Sequence, residues 1–446
     1  MRVHLFGAAS SPGCANYGLK YLAKTQQEMF PQASEFVENN FYVDDGLTSV
    51  DSEEEAIHPI HDSRKLCAKG GLRLHKFISN NKNVIDSVPA SERATDVKDL
   101  KLSGEHLPIE KALGVKWNLQ NDMLCFKINP QYFTLTRRNM LSIIASIFDP
   151  LGFLFPVTLT GKRLLQEMCR SGVGWNDMLP SDKEPQWEAW RKDLLNQGNI
   201  AIPRCIMPPD FGIPKCIELH HFSDVSTNGY GQCSYIRTII EENVHCALLF
   251  SKARVVPSKV ITISRLELTA AVLSVRVSTF LRRELTLPIH KECFWTYSRV
   301  VLGYINNEAR RFHVFVVNRV QMIRDVTDPC QWYYVDTSNN RADHASRGLR
   351  ATEIQKSSWL TGPAFLWQHQ LETVSVDTEL QLGDPEVRSA RTLCTKVTSS
   401  PSILDLLLKS RISSWTRMVS VTARLQRLSN DIKGTHPPTV EERQRT

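Results

Sequence analysis

Lys215-Cys216-Ile217-Glu218-Leu219-His220-His221-Phe222-Ser223-Asp224 reads as a β-strand that delivers an acid at its end. Prolines 203, 208, 209 and 214 precede it and mark a boundary. Two further strands are predicted over 232–237 and 246–251. Leu266, Ala270, Leu273 and Val277 then recur at helical spacing and predict a helix over 264–283. A strand over 290–297, a short helix over 298–306, a helix over 312–325 and a strand over 331–335 complete the order.

Three strands, a helix, a strand, helices and a strand are the order of a ribonuclease-H-like mixed sheet. Three acids sit at its element ends: Asp224 at the first strand, Glu267 in the first turn of the long helix, and Asp343 in Asn340-Arg341-Ala342-Asp343-His344-Ala345-Ser346-Arg347-Gly348. Singly, such residues have ordinary roles. An Asp ending a strand is commonly a cap or turn residue, and a Glu near a helix start suits the helix dipole. A two-Mg²⁺ centre needs about four converging acids because Mg²⁺ binds hard oxygen ligands, and the spacing of these three alone does not single one out.

Towards the N-terminus, Tyr42-Val43-Asp44-Asp45 reads as a β-hairpin tip with paired carboxylates, or as a solvated acidic turn. Phe6-Gly7-Ala8-Ala9-Ser10-Ser11-Pro12 comes before it, followed by a polar helix over 20–30 that Pro31 breaks. The acids of 51–55 start a helix that Gly70-Gly71 ends. Ala112-Leu113-Gly114-Val115-Lys116-Trp117 follows. A helical pattern over 136–169 is interrupted by Asp149-Pro150 and by Pro156, and Trp175, Trp187 and Trp190 lie in a connecting helical layer.

In this order the segments resemble the later palm motifs of a retroelement reverse transcriptase. Leu135-Thr136-Arg137-Arg138, Ser146-Ile147-Phe148-Asp149-Pro150-Leu151-Gly152 and Gly161-Lys162-Arg163-Leu164-Leu165-Gln166 are similar to the Pol polyproteins of the BEL/Pao class of LTR retrotransposons. The resemblance runs from Phe6 to about Trp367. It implies Asp44 and Asp45 as polymerase metal ligands, and Asp224, Glu267 and Asp343 as the first, second and fourth ribonuclease H ligands, all for Mg²⁺. The third ligand belongs in Phe294-Trp295-Thr296-Tyr297-Ser298, where Tyr297 stands in place of the family's Asp. A neutral phenol does not replace a carboxylate at Mg²⁺. Glu292 is an odd number of strand positions away and faces the other side. Arg341 stands where the family has Pro, which is expected to loosen the Asp343 loop. A further polymerase Asp belongs to a strand expected before Met1, so Asp44 and Asp45 make half a site.

The 446 residues suggest two or three domains of a multidomain α+β and α/β chain. The expected division is a partial reverse-transcriptase palm (1–130), a thumb or connection-like helical region (131–214), a ribonuclease-H-like domain (215–350), and a linker with an amphipathic helix leading towards an integrase (351–446). That helix, over 403–428, carries Lys409, Arg411, Arg417, Arg424 and Arg427. It reads either as a contact for nucleic acid or a partner, or as a face that has lost its domain. The residues 436–446 read as disordered. The net charge is +7, which favours a polyanionic partner. Arg137, Arg138, Lys162, Arg163, Arg310, Arg311 and Arg319 are candidate phosphate contacts or ordinary solvated charges. The partner implied is an RNA–DNA hybrid or duplex nucleic acid, with no membrane and no small-molecule cofactor. No apolar run spans a bilayer. Eleven cysteines without zinc spacing suggest free thiols in an intracellular, reducing compartment. The function expected is that of a Pol fragment with impaired catalysis. The rivals are a non-catalytic nucleic-acid-binding module and a residual Mg²⁺-dependent ribonuclease H.

Overall fold

The computed structural model describes residues 9–42, 45–94, 109–112, 115–127, 134–197, 199–209, 211–380, 383–388, 414–429 and 441. The chain divides into two units, Met1–Arg388 and Ser389–Thr446.

The first unit opens with α1 (Ser11–Thr25) and α2 (Pro31–Asn40). The sequence predicts one helix stopped by Pro31. Instead α1 ends at Thr25 and Pro31 starts α2, where a proline loses no helical hydrogen bond. Strands β1 (Phe41–Tyr42) and β2 (Asp45–Gly46) pair antiparallel, with Tyr42 opposite Asp45. Helix α3 (Glu53–Lys69) begins at Ser52, whose side chain accepts from Glu55 N at 3.2 Å, and ends at Gly70. It packs on α1 and α2 through Leu19, Ala23, Ala33, Val37, Leu66 and Cys67. Helix α4 (Lys82–Asp86) follows.

Strands β3 (Ile109–Ala112), β4 (Val115–Asn118) and β5 (Met123–Lys127) form an antiparallel meander, and β6 (Asn199–Pro203) returns to pair with β5. Between them run α5 (Arg137–Ser146), α6 (Phe155–Arg170) and α7 (Glu184–Gln197). Pro156 does not interrupt the helix. It lies in the first turn of α6.

Strands β7 (Cys216–Val225), β8 (Gly229–Ile240) and β9 (Asn243–Val255) are antiparallel neighbours. After α8 (Ile263–Glu284), β10 (Lys291–Thr296) pairs parallel with β7. Helices α9 (Arg299–Asn306) and α10 (Val314–Arg324) lead to β11 (Trp332–Tyr334), parallel with β10. The sheet order is β11-β10-β7-β8-β9, a ribonuclease-H-like mixed sheet. A last short helix, α11 (Ala342–Arg347), packs on β7 and β8.

Helices α8, α9 and α10 cover one sheet face through a cluster that includes Leu268, Val275, Phe294, Ile305 and Trp332. The other face shares one hydrophobic cluster with α5, α6, α7 and β5, from Phe126 through Trp187 and Tyr235 to Trp359 and Leu366. The expected boundary at 214 therefore does not separate two cores. Nor is 351–388 an uncovered linker. Trp359 is fully buried, and Arg237, itself buried, donates to the carbonyls of Leu366, Gln368 and His369.

The segment Asp149-Pro150-Leu151-Gly152 clamps the edge strand β9. Asp149 accepts from the N–H groups of Gly152, Phe153 and Leu154 at 2.9, 3.0 and 2.7 Å. Ser251 N donates to Leu151 O at 3.0 Å, and its hydroxyl donates to Gly152 O.

The second unit contains α12 (Trp415–Ser429), with Arg417, Arg424 and Arg427 on it. Lys409, Arg411 and the rest of the helix predicted over 403–413 lie outside the described residues, as do most of 436–446.

Candidate active site

Because β7 and β10 are parallel, with Ser223 opposite Thr296, the residues that follow these two lie side by side at one end of the sheet. They are Asp224 and Tyr297. Asp224 is buried beneath α11. That approach depends on Gly231, the residue opposite Asp224 on β8. A Cβ at Gly231 would come within 2.9 Å of Ala345 Cβ and 3.1 Å of Lys252 O. With α11 this close, the Ser346 hydroxyl donates to Asp224 Oδ2, and Asn340 Nδ2 reaches Asp224 Oδ1 at 3.4 Å and Ser223 O at 3.0 Å. Burial pushes the Asp224 carboxyl up to about 7. The nearby charge of Asp343 adds to this, while the Ser346 hydroxyl opposes it.

Glu267 lies on α8. The helix begins at Ile263, with Thr262 as its N-cap, so Glu267 falls in the second turn rather than in the predicted first. Its carboxylate accepts from the Ser298 hydroxyl at 2.7 Å, and the Tyr297 phenol lies beside it. Ser298 in turn caps α9 by accepting from Val301 N at 3.2 Å. Tyr297 is half-buried. Its phenol is pushed well above the usual tyrosine range by burial first, then by the neighbouring Glu267 carboxylate and the charge of Asp224. It is neutral at any ordinary pH.

Asp343 is in the first turn of α11 and pairs with Arg347 one turn later. Arg341 does not loosen this loop. Its φ of −67° is one that a proline also adopts, and its guanidinium donates to Ser338 O at 2.9 Å. Arg347 is drawn to Asp343 first, and also feels Asp224 and Tyr297. It lines an open cleft of about 630 Å³ together with Thr160, Lys192 and Arg350.

Asp224, Glu267, Tyr297 and Asp343 thus border one site, but they do not fit a pair of Mg²⁺ ions as they stand. Among the described residues, no group of three or more His, Cys, Asp or Glu is placed to hold a metal ion. The expected convergence of three carboxylates on the ions is corrected accordingly. The physical reason is that each acid is engaged elsewhere: Asp224 by Ser346, Glu267 by the Ser298 hydroxyl, and Asp343 by an arginine. A neutral phenol beside Glu267 adds no charge to offset a cation.

Asp45 is exposed on β2, and Asp44 lies outside the described residues. Glu292 faces α8. It is buried, bonded to His221 at 2.9 Å and to the Ser278 hydroxyl, with Arg282 at 3.2 Å. It does not substitute for the missing third acid. Its His221 partner, and the Glu218–His220 contact at 3.0 Å on the other face, form buried polar networks that the sequence reading missed. Ser346, Asn340 and Arg347 were missed as well. The i,i+4 spacing of Asp343 and Arg347 was the available signal.

The basic residues of the middle region divide. Arg137 donates to Val173 O at 2.8 Å and stacks on Trp175, Arg138 bonds Asn176 at 3.0 Å, and Arg163 bonds Asn228 at 2.9 Å. Lys162 lies over Phe155, and burial lowers its pKa. These four are internal ties. Arg310 and Arg311 lie in the connection between α9 and α10, where Arg310 donates to Leu380 O at 2.9 Å, and Arg319 is on α10.

Residues 136–298 match the family described as the Pao retrotransposon-like RNaseH-like domain. The chain is similar to the N-terminal RNase H domain of a Mycobacterium tuberculosis protein, solved as a fusion with maltose-binding protein. Identity is 11%, coverage is 31% of this chain and 95% of that one, and the TM-score is 0.22. An RNase H1 solved in complex with an RNA/DNA hybrid is 10% identical, with 29% of this chain and 92% of that one covered and a TM-score of 0.19. The foamy viral protease-reverse transcriptase, in complex with dsDNA, is 12% identical. Coverage there is 51% of this chain and 45% of that one, with a TM-score of 0.17. No curated protein matches the chain. No described helix is long and apolar enough to cross a membrane.

Proposed function

We propose that this chain is a segment of a BEL/Pao-like Pol polyprotein whose ribonuclease-H-like domain engages an RNA–DNA hybrid or duplex but hydrolyses it poorly. The observation that carries the reading is the neutral Tyr297 phenol beside Glu267 and Asp224, at the strand end where the motif calls for a carboxylate. The cleft beside Asp343 is lined by Arg347, Arg350 and Lys192 against Asp193 and Glu353, a small positive excess that suits a phosphate-bearing ligand. Residues 1–130 are read as the later part of a reverse-transcriptase palm. The support is the Tyr42–Asp45 pairing of β1 and β2 and the β3–β4 hairpin. Its carboxylates Asp44 and Asp45 are the candidate metal ligands of that palm. The test uses the purified chain with a labelled RNA–DNA hybrid and Mg²⁺. Salt-sensitive binding without multiple-turnover cleavage is expected. Rapid Mg²⁺-dependent cleavage by the unaltered chain would refute the impairment.

A further inference from the structure

The segment after β11 does not leave the domain. Val374 bridges Tyr334 of β11, and Val387 bridges Phe312 just before α10. Between these points Arg310 donates to Leu380 O at 2.9 Å, and His313 N to Glu386 O at 2.9 Å. Val376, Leu380 and Val387 add to the cluster under α9 and α10. Gly303 on α9 leaves the room for this path, since a Cβ there would lie 2.7 Å from Thr378 O. The segment is acidic where it passes the candidate site. Asp384 accepts from the Tyr304 hydroxyl at 3.1 and 3.0 Å. Glu386 is 3% exposed and takes both arms of Arg265, from Nε at 2.6 Å and Nη2 at 3.0 Å.

Arg265 lies two residues before Glu267 on α8. Its guanidinium sits 5.0 Å from the Phe315 ring centre, and that of Arg319 sits 3.4 Å from the same ring. Arg276 lies within electrostatic reach of Arg319. Three like charges gathered on α8 and α10 call for an anion, and a two-pronged guanidinium contact suits a phosphate as well as a carboxylate.

We propose that the surface of Arg265, Arg276 and Arg319 is a phosphate-backbone contact for the strand presented to the neighbouring site, and that Glu386 occupies it in the free chain as an internal phosphate mimic. The proposal rests on the nucleic-acid-binding reading above and names a surface for it. Bound nucleic acid displaces the Glu386 carboxylate, exchanging one anion for another on Arg265.

The experiment measures fluorescence anisotropy of a labelled RNA–DNA hybrid with the full chain across a salt series. Glu386→Gln should tighten binding about 3- to 10-fold and steepen the log–log salt slope by about 0.9, one added phosphate contact. Arg265→Gln in the same background should return both to the starting values. Arg276→Gln with Arg319→Gln leaves the Glu386 pair in place and should weaken binding about 3- to 10-fold. The proposal is overturned if the unaltered chain binds the hybrid and Glu386→Gln, with an unchanged melting profile, moves neither affinity nor slope. Full affinity in the Arg276/Arg319 variant overturns it too. Binding by Glu386→Gln where the unaltered chain shows none supports it. Absence of binding by every variant contradicts the nucleic-acid reading itself and this proposal with it.

Discussion

The Tyr297 phenol lies beside the Glu267 carboxylate, where the end of β10 meets the second turn of α8. A neutral phenol there brings no charge to a cation, as an aspartate would. The contact also makes the tyrosine part of the local structure. Tyr297→Phe should therefore cost stability, by about 1 kcal/mol, because Glu267 keeps its Ser298 donor and half of the site remains in reach of water. Denaturant unfolding of the two proteins measures this. An unchanged or stabilised Tyr297→Phe would show that the hydroxyl contributes nothing.

Gly152 should tolerate no side chain. Its φ is +83°, and a Cβ would lie 2.1 Å from Ser251 O. Gly152→Ala should cost about 3 kcal/mol or more by combining backbone strain with displacement of the clamp on β9. Thermal melting reads the loss directly, and an unchanged Tm would contradict the clamp.

The Asp149 carboxyl in the same loop is pushed up to about 6 by burial, against three backbone N–H donors and Lys162. The folded chain therefore holds this proton more tightly than the unfolded chain does. The ionised form carries a penalty that is absent below about pH 4 and complete above about pH 6–7. Stability should fall across that window by up to about 3 kcal/mol from this residue. Asp149→Asn should flatten the slope. Unfolding free energies at pH 4, 5.5 and 7 for both proteins check the sign.

Much of the sheet was readable because its strands carry dense apolar runs between turns. Five strands and three helices of the ribonuclease-H-like region fall where periodicity puts them, within a few residues except for β8 and β9, which run longer. Asp224, Glu267 and Asp343 were named from block order. What holds them was not readable, because Ser346, Asn340 and Arg347 act through α11 packing against Gly231, a tertiary approach. The sharing of one core by α5–α7 and the sheet was hidden for the same reason: apolar faces show that something is covered, not by what. The strap to Arg388 was hidden by its polar composition. Its hold comes from backbone bridges and one buried ion pair, which leave little periodic trace.

The most direct measurement of the central claim compares Mg²⁺-dependent cleavage of an RNA–DNA hybrid by the unaltered chain and by Tyr297→Asp. Magnesium binding to each is followed by calorimetry. Replacing the phenol supplies one charge and one oxygen ligand at a strand end already placed beside Asp224 and Glu267. The expected result is weak or absent cleavage by the unaltered chain and a gain of about 100-fold or more in the variant, with measurable Mg²⁺ binding only in the variant. Equal cleavage by the two proteins, or none in a folded Tyr297→Asp chain, would contradict the claim that Tyr297 is what disables the site.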